Sequence, residues 1–237
     1  HGWVQRLPEG CFAETLVCTI EGGHYPSGRY TILYEGQGTI TASGAASLVA
    51  SSPGRVEIDV DASREAAFLQ LRETDPNDYV RDIRVIMPGC LTTYEKQPWR
   101  EGFLRQWKGV KVVRFMDFMH TNGSKIETWA DRPKMEDATF SQKGIPVELM
   151  CDLANRLEAD PWFCMPHLAD DDFIRRFAAE VKKRLDPKRK IYIEYSNEIW
   201  NGQFAPSRYA GEVGMKLGFG DKPWEAGWRY TAFRSVQ

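Results

Sequence analysis

The residues best suited to chemistry lie in one short run, where Glu194, Asn197 and Glu198 follow a stretch of β-branched and aromatic residues. Two carboxyl groups can hydrolyse a glycosidic bond when one protonates the leaving oxygen and the other attacks the anomeric carbon, which requires a separation of ~5–5.5 Å. Glu194 and Glu198 lie four residues apart, and extended chain with a rise of ~3.3 Å per residue separates them by about 13 Å. These two carboxylates therefore cannot be that pair.

The run Ile191–Asn201 resembles the acid/base segment of retaining glycoside hydrolases with (β/α)8 barrels, the clan A type that includes cellulases and other β-glycanases. Those enzymes carry an Asn-Glu pair at a strand end, often with a further Glu four residues before the catalytic one. The usual Pro after the pair is replaced by Ile199. The resemblance implies that Glu198 is the acid/base and that Asn197 hydrogen-bonds the sugar 2-hydroxyl. The alternative is that Glu198 is an exposed cap of a helix.

Two earlier apolar runs end in polar residues that agree with the resemblance. Arg114 lies where these hydrolases have an active-site Arg that holds the nucleophile carboxylate by two hydrogen bonds. Arg114 can equally be the ion-pair partner of Glu194, because a buried carboxylate needs a partner. His167 follows the run that starts at Trp162, where these enzymes use a His to bind substrate hydroxyl groups. An ordinary hydrogen-bonded His is the alternative.

Four more residues near the strand ends are candidates for substrate binding. Trp129 and Trp200 can stack on the face of a sugar, and either can instead be a core residue. Asp117 and His120 are polar residues at the end of a predicted strand, so we expect them to line the cleft.

The sequence predicts no cofactor and no metal. Asp170, Asp171 and Asp172 open a predicted helix, where acids cap the helix and complement its dipole. The chain has no glycine-rich phosphate loop after a strand, no Gly-x-Ser-x-Gly elbow and no convincing metal triad. Nucleotide-binding, esterase and metallohydrolase functions therefore lack support.

The composition sets the class of protein. The chain has 237 residues, 42% hydrophobic and 27% charged, which is typical of globular proteins. The net charge of -2 argues against nucleic acid and anionic membranes as partners, and no apolar run approaches the ~20 residues of a membrane helix. The five cysteines predict free buried thiols, with a Cys11–Cys18 disulfide as the alternative. We expect a monomeric protein, secreted or in the cell envelope of a bacterium, with a polysaccharide or oligosaccharide as its partner.

The elements that position these residues begin with a β-rich part. Residues 1–88 contain short β-rich runs separated by turn signals such as Gly22-Gly23, and this pattern is typical of a sandwich or small barrel. The predicted strands are Thr15–Ile20, Gly28–Tyr34, Thr39–Thr41, Arg55–Val60 and Ala67–Leu71.

From residue 89 onward, strands alternate with helices, which predicts a parallel sheet with helical crossovers. A long polar loop, residues 120–144, is of the kind that is functional or disordered. Ile83–Met87 is either a further parallel strand or the last strand of the β-rich part. The predicted strands are Val110–Phe118, Trp162–Met165 and Ile191–Ser196, and the predicted helices are Pro98–Lys108, Ile145–Glu158, Asp170–Leu185, Ala205–Leu217 and one from Trp224.

The predicted fold class is therefore α/β plus all-β. Residues 1–88 form an N-terminal β-sandwich-like domain with an accessory or carbohydrate-binding role, and residues 89–237 form the partial N-terminal half of a (β/α)8 TIM barrel of catalytic type. A complete barrel takes ~250 residues, so we expect a barrel truncated at its C-terminus. Because the sequence starts at His1 without a signal peptide, we expect a processed product, a recombinant piece or a fragment.

The resulting hypothesis is a fragment of a retaining glycoside hydrolase that acts on the O-glycosidic bonds of a β-linked polysaccharide or oligosaccharide. The resemblance implies a nucleophile Glu beyond Gln237, so we expect these residues alone to be inactive and the full-length enzyme to be active. Two alternatives stay open. One is a non-catalytic carbohydrate-binding or cell-surface protein on a barrel scaffold. The other is a barrel enzyme of another class, such as a lyase or isomerase, that uses a metal or cofactor.

Overall fold

The computed structural model of the protein describes residues 1–19, 24–64 and 66–236. The chain divides into two compact units, His1–Arg100 with Glu136–Ala138, and Glu101–Met135 with Thr139–Gln237. The short segment joins the first unit through backbone and indole hydrogen bonds: Ala138 N donates to His1 O at 2.8 Å, and Trp3 Nε1 donates to Glu136 O at 2.9 Å. The predicted domain limit lies between residues 88 and 89, whereas the first unit extends to Arg100.

The first unit consists of two antiparallel sheets in its described residues. One sheet has the strand order β1-β6-β3 and the other has the order β4-β5-β2-β7. The strands are β1 (Ala13–Val17), β2 (Gly28–Glu35), β3 (Gly38–Gly44), β4 (Ala46–Ser52), β5 (Arg55–Val60), β6 (Ala67–Thr74) and β7 (Arg81–Ile86).

Alternation of apolar and polar residues is clearest in β5. In β5 the side chains of Val56, Ile58 and Val60 are buried, because every second side chain of a strand points to the same face. On the opposite face, Arg29 of β2 lies directly across from Asp59 and donates Nε to its Oδ1 at 2.7 Å. One hydrophobic cluster takes buried side chains from both sheets, including Ile32, Ile40, Val56, Ile58 and Leu69.

The second unit contains a three-stranded parallel sheet in the order β10-β9-β8, with helices between successive strands. Its strands are β8 (Val112–Arg114), β9 (Asp160–Met165) and β10 (Tyr192–Tyr195). The helices of the described chain are α1 (Glu101–Gln106), α2 (Val147–Leu157), α3 (Asp171–Arg184), α4 (Ala205–Lys216) and α5 (Pro223–Ser235).

Helix α3 shows how the sequence sets the packing of this unit. Asp170 is its N-cap, and the side chain accepts a hydrogen bond from Phe173 N at 2.6 Å, as the run of three acids predicts. Phe173, Phe177 and Val181 follow the helical period and are buried. Phe177 meets the ring of Phe163 on β9 edge to face, with centroids 5.1 Å apart. The helix therefore covers the central strand of the parallel sheet.

The predicted fold class, a β-sandwich-like domain followed by half of a (β/α)8 barrel, is wrong. The described residues form a small mixed α/β protein with three small sheets and five α-helices. The parallel sheet of the described residues has three short strands, of three, six and four residues, whereas the first half of an eight-stranded barrel supplies four. Alternation of strand and helix dictates parallel pairing, but it does not dictate that the sheet continues and closes.

Individual elements also differ from the predictions. Ile83–Met87 contributes to β7, which pairs antiparallel with β2 and is not a further parallel strand. The predicted strand Val110–Phe118 shortens to β8. Strand β4 was not predicted, because six of its seven residues are exposed and give no buried face to recognise. The predicted turn at Gly22-Gly23 and the end of the first predicted strand at Ile20 lie outside the described residues.

The cysteines are free thiols in the described chain, and of the five only Cys151 and Cys164 are buried. The Cys11–Cys18 disulfide is absent there. Within the same residues, no helix has both the length and the apolar character that crossing a membrane requires.

Candidate functional site

The candidate site lies at the carboxyl ends of the three parallel strands, which share one edge of the sheet. Arg114 is the last residue of β8, and Asn197 follows two residues after the end of β10. Backbone pairing continues past the strands, because Phe115 N donates to Trp162 O at 2.8 Å and Ser196 N donates to Met165 O at 2.9 Å. These bonds fix the backbone from which the polar side chains project.

Arg114 links the two outer strands of the sheet. Its Nε and Nη2 donate to the same Glu194 oxygen, Oε2, at 3.0 Å and 2.7 Å, and Nη2 also donates to Asn197 Oδ1 at 2.7 Å. Burial is the largest influence on the pKa of Arg114 and lowers it, but the hydrogen bond to Glu194 and the nearby negative charges together raise that pKa above its ordinary value. The prediction that Arg114 pairs with Glu194 is confirmed, and its contact with a nucleophile carboxylate stays a prediction.

Glu194 collects further donors on Oε2. Trp162 Nε1 donates to this oxygen at 3.0 Å, and the Cys164 thiol donates at 3.3 Å. Burial, with the nearby Glu194 carboxylate, raises the pKa of Cys164 to about 12, so the thiol keeps its proton. The guanidinium of Arg114 lies 5.3 Å from the centroid of the Trp162 ring. Glu194 is therefore the centre of a structural network. Its side chain is half-buried, with 29% of its surface exposed.

Asn197 is buried and hydrogen-bonded on both sides of its amide. Its Oδ1 accepts from Arg114, and its Nδ2 donates to Asn122 Oδ1 at 3.0 Å. Asn122 belongs to the 3₁₀ turn Thr121–Gly123 after β8. Asn122 lies in the long polar loop of the sequence, where no local pattern marks a residue that bonds a partner 75 positions away.

Glu198, the residue after Asn197, is exposed, and its charge acts on the guanidinium of Arg114. The backbone is left-handed at both Ser196 (φ 59°) and Glu198 (φ 43°), a conformation that non-glycine residues rarely adopt. Asn201 Nδ2 donates to Glu198 Oε2 at 3.3 Å. Because the next helix, α4, begins only at Ala205, Glu198 does not cap a helix from Ile199.

His167 lies at the end of β9 but below the surface. It is 5% exposed, and its Nδ1 has no hydrogen-bond partner among the described residues. Burial lowers the pKa of His167, which favours the neutral ring. The ring packs edge to face against Tyr209 with centroids 5.4 Å apart, and the backbone oxygen accepts from Tyr195 Oη at 3.0 Å. The predicted role of His167 in binding substrate stays a prediction.

The two candidate tryptophans have different surroundings. The Trp200 side chain, two residues after Glu198, is 68% exposed and can meet a ligand. Trp129 packs against the ring of Phe173 on α3 at 5.6 Å and lies under the guanidinium of Arg132 at 4.5 Å. Trp129 lines an apolar cavity beside α3 with Ile126, Met150 and Pro166, so it serves the packing of the helix.

Asp117 and His120 both belong to the turn that leads to Asn122. His120 N donates to Asp117 O at 2.9 Å, and His120 has a left-handed backbone with φ 49°. The imidazole covers Gly123 so closely that a Cβ there would lie 2.4 Å from His120 Nε2. Asp117 is exposed. Asp117 and His120 are placed to determine the shape of the loop. Their predicted contact with substrate stays a prediction.

The acidic residues at the start of α3 form ion pairs. Asp171 pairs with Arg234 at 2.9 Å, and Asp172 pairs with Arg176 at 2.8 Å. In the described segments, no group of three or more His, Cys, Asp or Glu residues is placed to hold a metal ion.

The arrangement brings Arg114, Asn197 and Glu198 to one sheet edge and leaves an exposed carboxyl beside a fixed amide. Such a carboxyl can donate and accept protons, while the amide can hydrogen-bond a hydroxyl group of a bound molecule. Comparison of the chain with protein-family models, with curated proteins and with solved structures finds no match.

Proposed function

We propose that the protein is a glycoside hydrolase that cleaves a β-linked polysaccharide or oligosaccharide, with Glu198 as the acid/base. The observation that carries this proposal is the position of Glu198, an exposed carboxyl directly after the buried, doubly hydrogen-bonded Asn197 at the edge where three parallel strands end. In this reaction Glu198 protonates the leaving oxygen and later removes a proton from the attacking water.

The surroundings of Glu198 support proton transfer. Its exposure allows a substrate oxygen to approach, and the contact from Asn201 orients one carboxyl oxygen. The negative charge of Glu198 is among those that raise the pKa of Arg114, so a fixed positive charge lies near the carboxyl.

Asn197 supports binding of a sugar hydroxyl. An amide donates two hydrogens, and only one contact, to Asn122, uses Nδ2 in the described chain. In this proposal the second N–H bonds a sugar hydroxyl, which requires the bound sugar to reach a residue that is 3% exposed. Trp200 adds an exposed indole two residues from the acid/base, which suits stacking against the apolar face of a sugar.

Glu194 does not serve as the second carboxylate in this proposal. Its Oε2 accepts from Arg114, Trp162 and Cys164, and breaking that network to release a nucleophile would leave a half-buried Arg charge without its partner. The proposal assigns only the acid/base, and the nucleophile is a different carboxylate.

The test measures hydrolysis of a panel of β-linked polysaccharides and aryl β-glycosides by the full-length gene product. We expect E198Q to lower turnover of natural glycans by about 100- to 10,000-fold, the usual contribution of a general acid or base. E212Q is the control, because Glu212 is an exposed residue of α4 and undergoes the same chemical change.

Azide separates an acid/base from a residue that only maintains structure. In E198A the glycosyl intermediate of an activated aryl glycoside forms but waits for a base, and azide attacks it without needing one. We therefore expect azide to restore turnover of E198A and to give a glycosyl azide. Wild-type turnover by E198Q on a natural glycan would rule out the assignment. Binding without hydrolysis by the wild-type protein would favour a carbohydrate-binding function.

A further inference from the structure

We infer that Asn122 is a positioning residue that fixes the orientation of the Asn197 amide, so that one N–H of Asn197 is held ready for a sugar hydroxyl. This inference rests on the proposed function and adds a residue outside the strand ends. It is carried by the chain of hydrogen bonds from Arg114 through Asn197 to Asn122.

The donors and acceptors along this chain determine which way each amide faces. A guanidinium can only donate, so the atom of Asn197 that lies 2.7 Å from Arg114 must be its carbonyl oxygen. The amide nitrogen of Asn197 then faces Asn122, whose Oδ1 accepts at 3.0 Å. Arg114 alone would fix the oxygen but would leave the plane of the amide free to rotate about that bond. Asn122 supplies the second point that fixes the plane.

Asn122 can act in this way because its own turn is anchored. Thr121, immediately before it, is 1% exposed, and its Oγ1 donates to Met116 O at 2.8 Å. Gly123 N donates to His120 O at 3.1 Å, and the His120 ring closes over Gly123. The turn therefore ties Asn122 to the loop after β8, and Asn122 in turn ties that loop to the segment after β10.

The fixed plane has a consequence for specificity. With one N–H engaged by Asn122, the second N–H of Asn197 has a defined direction before a substrate arrives. A hydroxyl group in that direction gains a hydrogen bond, and a substrate without the hydroxyl leaves the N–H unpaired. Asn122 should therefore affect substrates that carry a 2-hydroxyl and have little effect on their 2-deoxy analogues.

The closing experiment uses the full-length protein with an aryl glycoside of the sugar that the wild type cleaves fastest, and the 2-deoxy analogue of that substrate. We expect N122A to lower kcat/KM about tenfold on the parent substrate, the scale of one hydrogen bond, and less than twofold on the analogue. N122D keeps an acceptor at the same place, so we expect it to recover most of the loss.

The matched control is N155A. Asn155 is also a half-buried amide, and it bonds Arg184 O at 2.9 Å and accepts from Asp186 N at 2.8 Å, but it precedes β9 at the opposite end of the strands. We expect N155A to lower the thermal midpoint as N122A does and to keep the wild-type ratio of activities on the two substrates. An N122A variant that loses both activities equally would show a structural role and overturn the inference.

A second measurement needs no activity. In the nuclear magnetic resonance spectrum of the isotope-labelled chain, we expect the side-chain N–H signals of Asn197 to shift and to exchange faster with water in N122A, and to stay unchanged in N155A. Unchanged Asn197 signals in N122A would overturn the inference while Glu198 dependence of hydrolysis still supports the proposed function. If the wild type hydrolyses no glycan, the proposed function fails and this inference fails with it.

Discussion

Two arginines on strands, Arg29 in the first unit and Arg114 in the second, bind carboxylates across their sheets with opposite surroundings. Arg29 bonds Asp59 on the exposed face of the antiparallel sheet, where the two side chains are 48% and 50% exposed. Arg114 and Glu194 are 34% and 29% exposed, and their network also includes an indole, a thiol and an amide. Arg29 also donates to Glu57 at 3.1 Å, so the first arrangement is a network of charged side chains alone, whereas the second joins the ion pair to neutral donors and to the Asn197 amide.

The two networks differ in how strictly their contacts fix the geometry of the side chains. Exposed ion pairs contribute little to stability because water and salt screen them, so their geometry is free to vary. A half-buried carboxylate that accepts from several fixed donors cannot vary without leaving a donor unpaired. The network around Arg114 therefore fixes the Asn197 side chain, whereas the network around Arg29 lies on an exposed face of its sheet.

The largest expected effect separates the two arginines directly. R114M should destabilise the protein by about 2 kcal/mol, because it leaves the Glu194 charge without its cation; the partial exposure of Arg114 keeps the loss below that of a fully buried pair. R29M should leave stability nearly unchanged. Urea unfolding of both variants measures the difference, and equal losses would remove the distinction between the networks.

The next effect tests whether the indole is part of the network. W162F keeps an aromatic ring beneath Arg114 but removes the Nε1 donor to Glu194, so we expect a loss of about 1 kcal/mol. The control is W228F, which changes a 54% exposed indole on α5. A W162F protein as stable as the wild type would mean that the Trp162 hydrogen bond carries no net energy.

Some of these contacts and elements could be predicted from the sequence, and others could not. The ion pair of Arg114 with Glu194 was predictable, because a carboxylate on an apolar strand requires a cation. Helix α3 was predictable because its cap and its apolar period are local. The contact of Asn122 with Asn197 was not, because no local pattern marks a residue that bonds a partner 75 positions away. The prediction of half a barrel failed because strand–helix alternation is common to every parallel sheet and does not determine how many strands the sheet has.

A smaller effect is expected in the dependence of the unfolding free energy on pH. Burial lowers the folded-state pKa of His167, so protonation favours the unfolded chain. The stability from the neutral ring is fully present above the unfolded pKa of about 6.5 and is lost as pH falls from there toward the folded pKa. We expect H167Q to flatten the dependence of the unfolding free energy on pH between about 7 and 5. An unchanged slope in H167Q would assign the dependence to another group.

The smallest effect belongs to the surface network. Hydrogen bonds from Arg29 lower the pKa of Asp59, and hydrogen bonds from Arg55 and Arg29 lower that of Glu57. Their contribution is present above the unfolded pKa of about 4 and is lost as pH falls through the folded values. We expect added salt to erase this contribution while leaving the effect of R114M largely intact. Unfolding measured at low and high salt for R29M and R114M provides the check.

The left-handed backbone on both sides of Asn197 has a consequence for protein engineering. On a straight strand, neighbouring side chains point to opposite faces, so an Asn-Glu dipeptide grafted onto another sheet would send its amide and its carboxyl to opposite sides. Here the peptide bends at Ser196 and again at Glu198, and both residues interact with the same guanidinium: Asn197 accepts its hydrogen bond and Glu198 acts on it through its charge. A designer who wishes to transplant this pair must copy the bent peptide together with the two residue types.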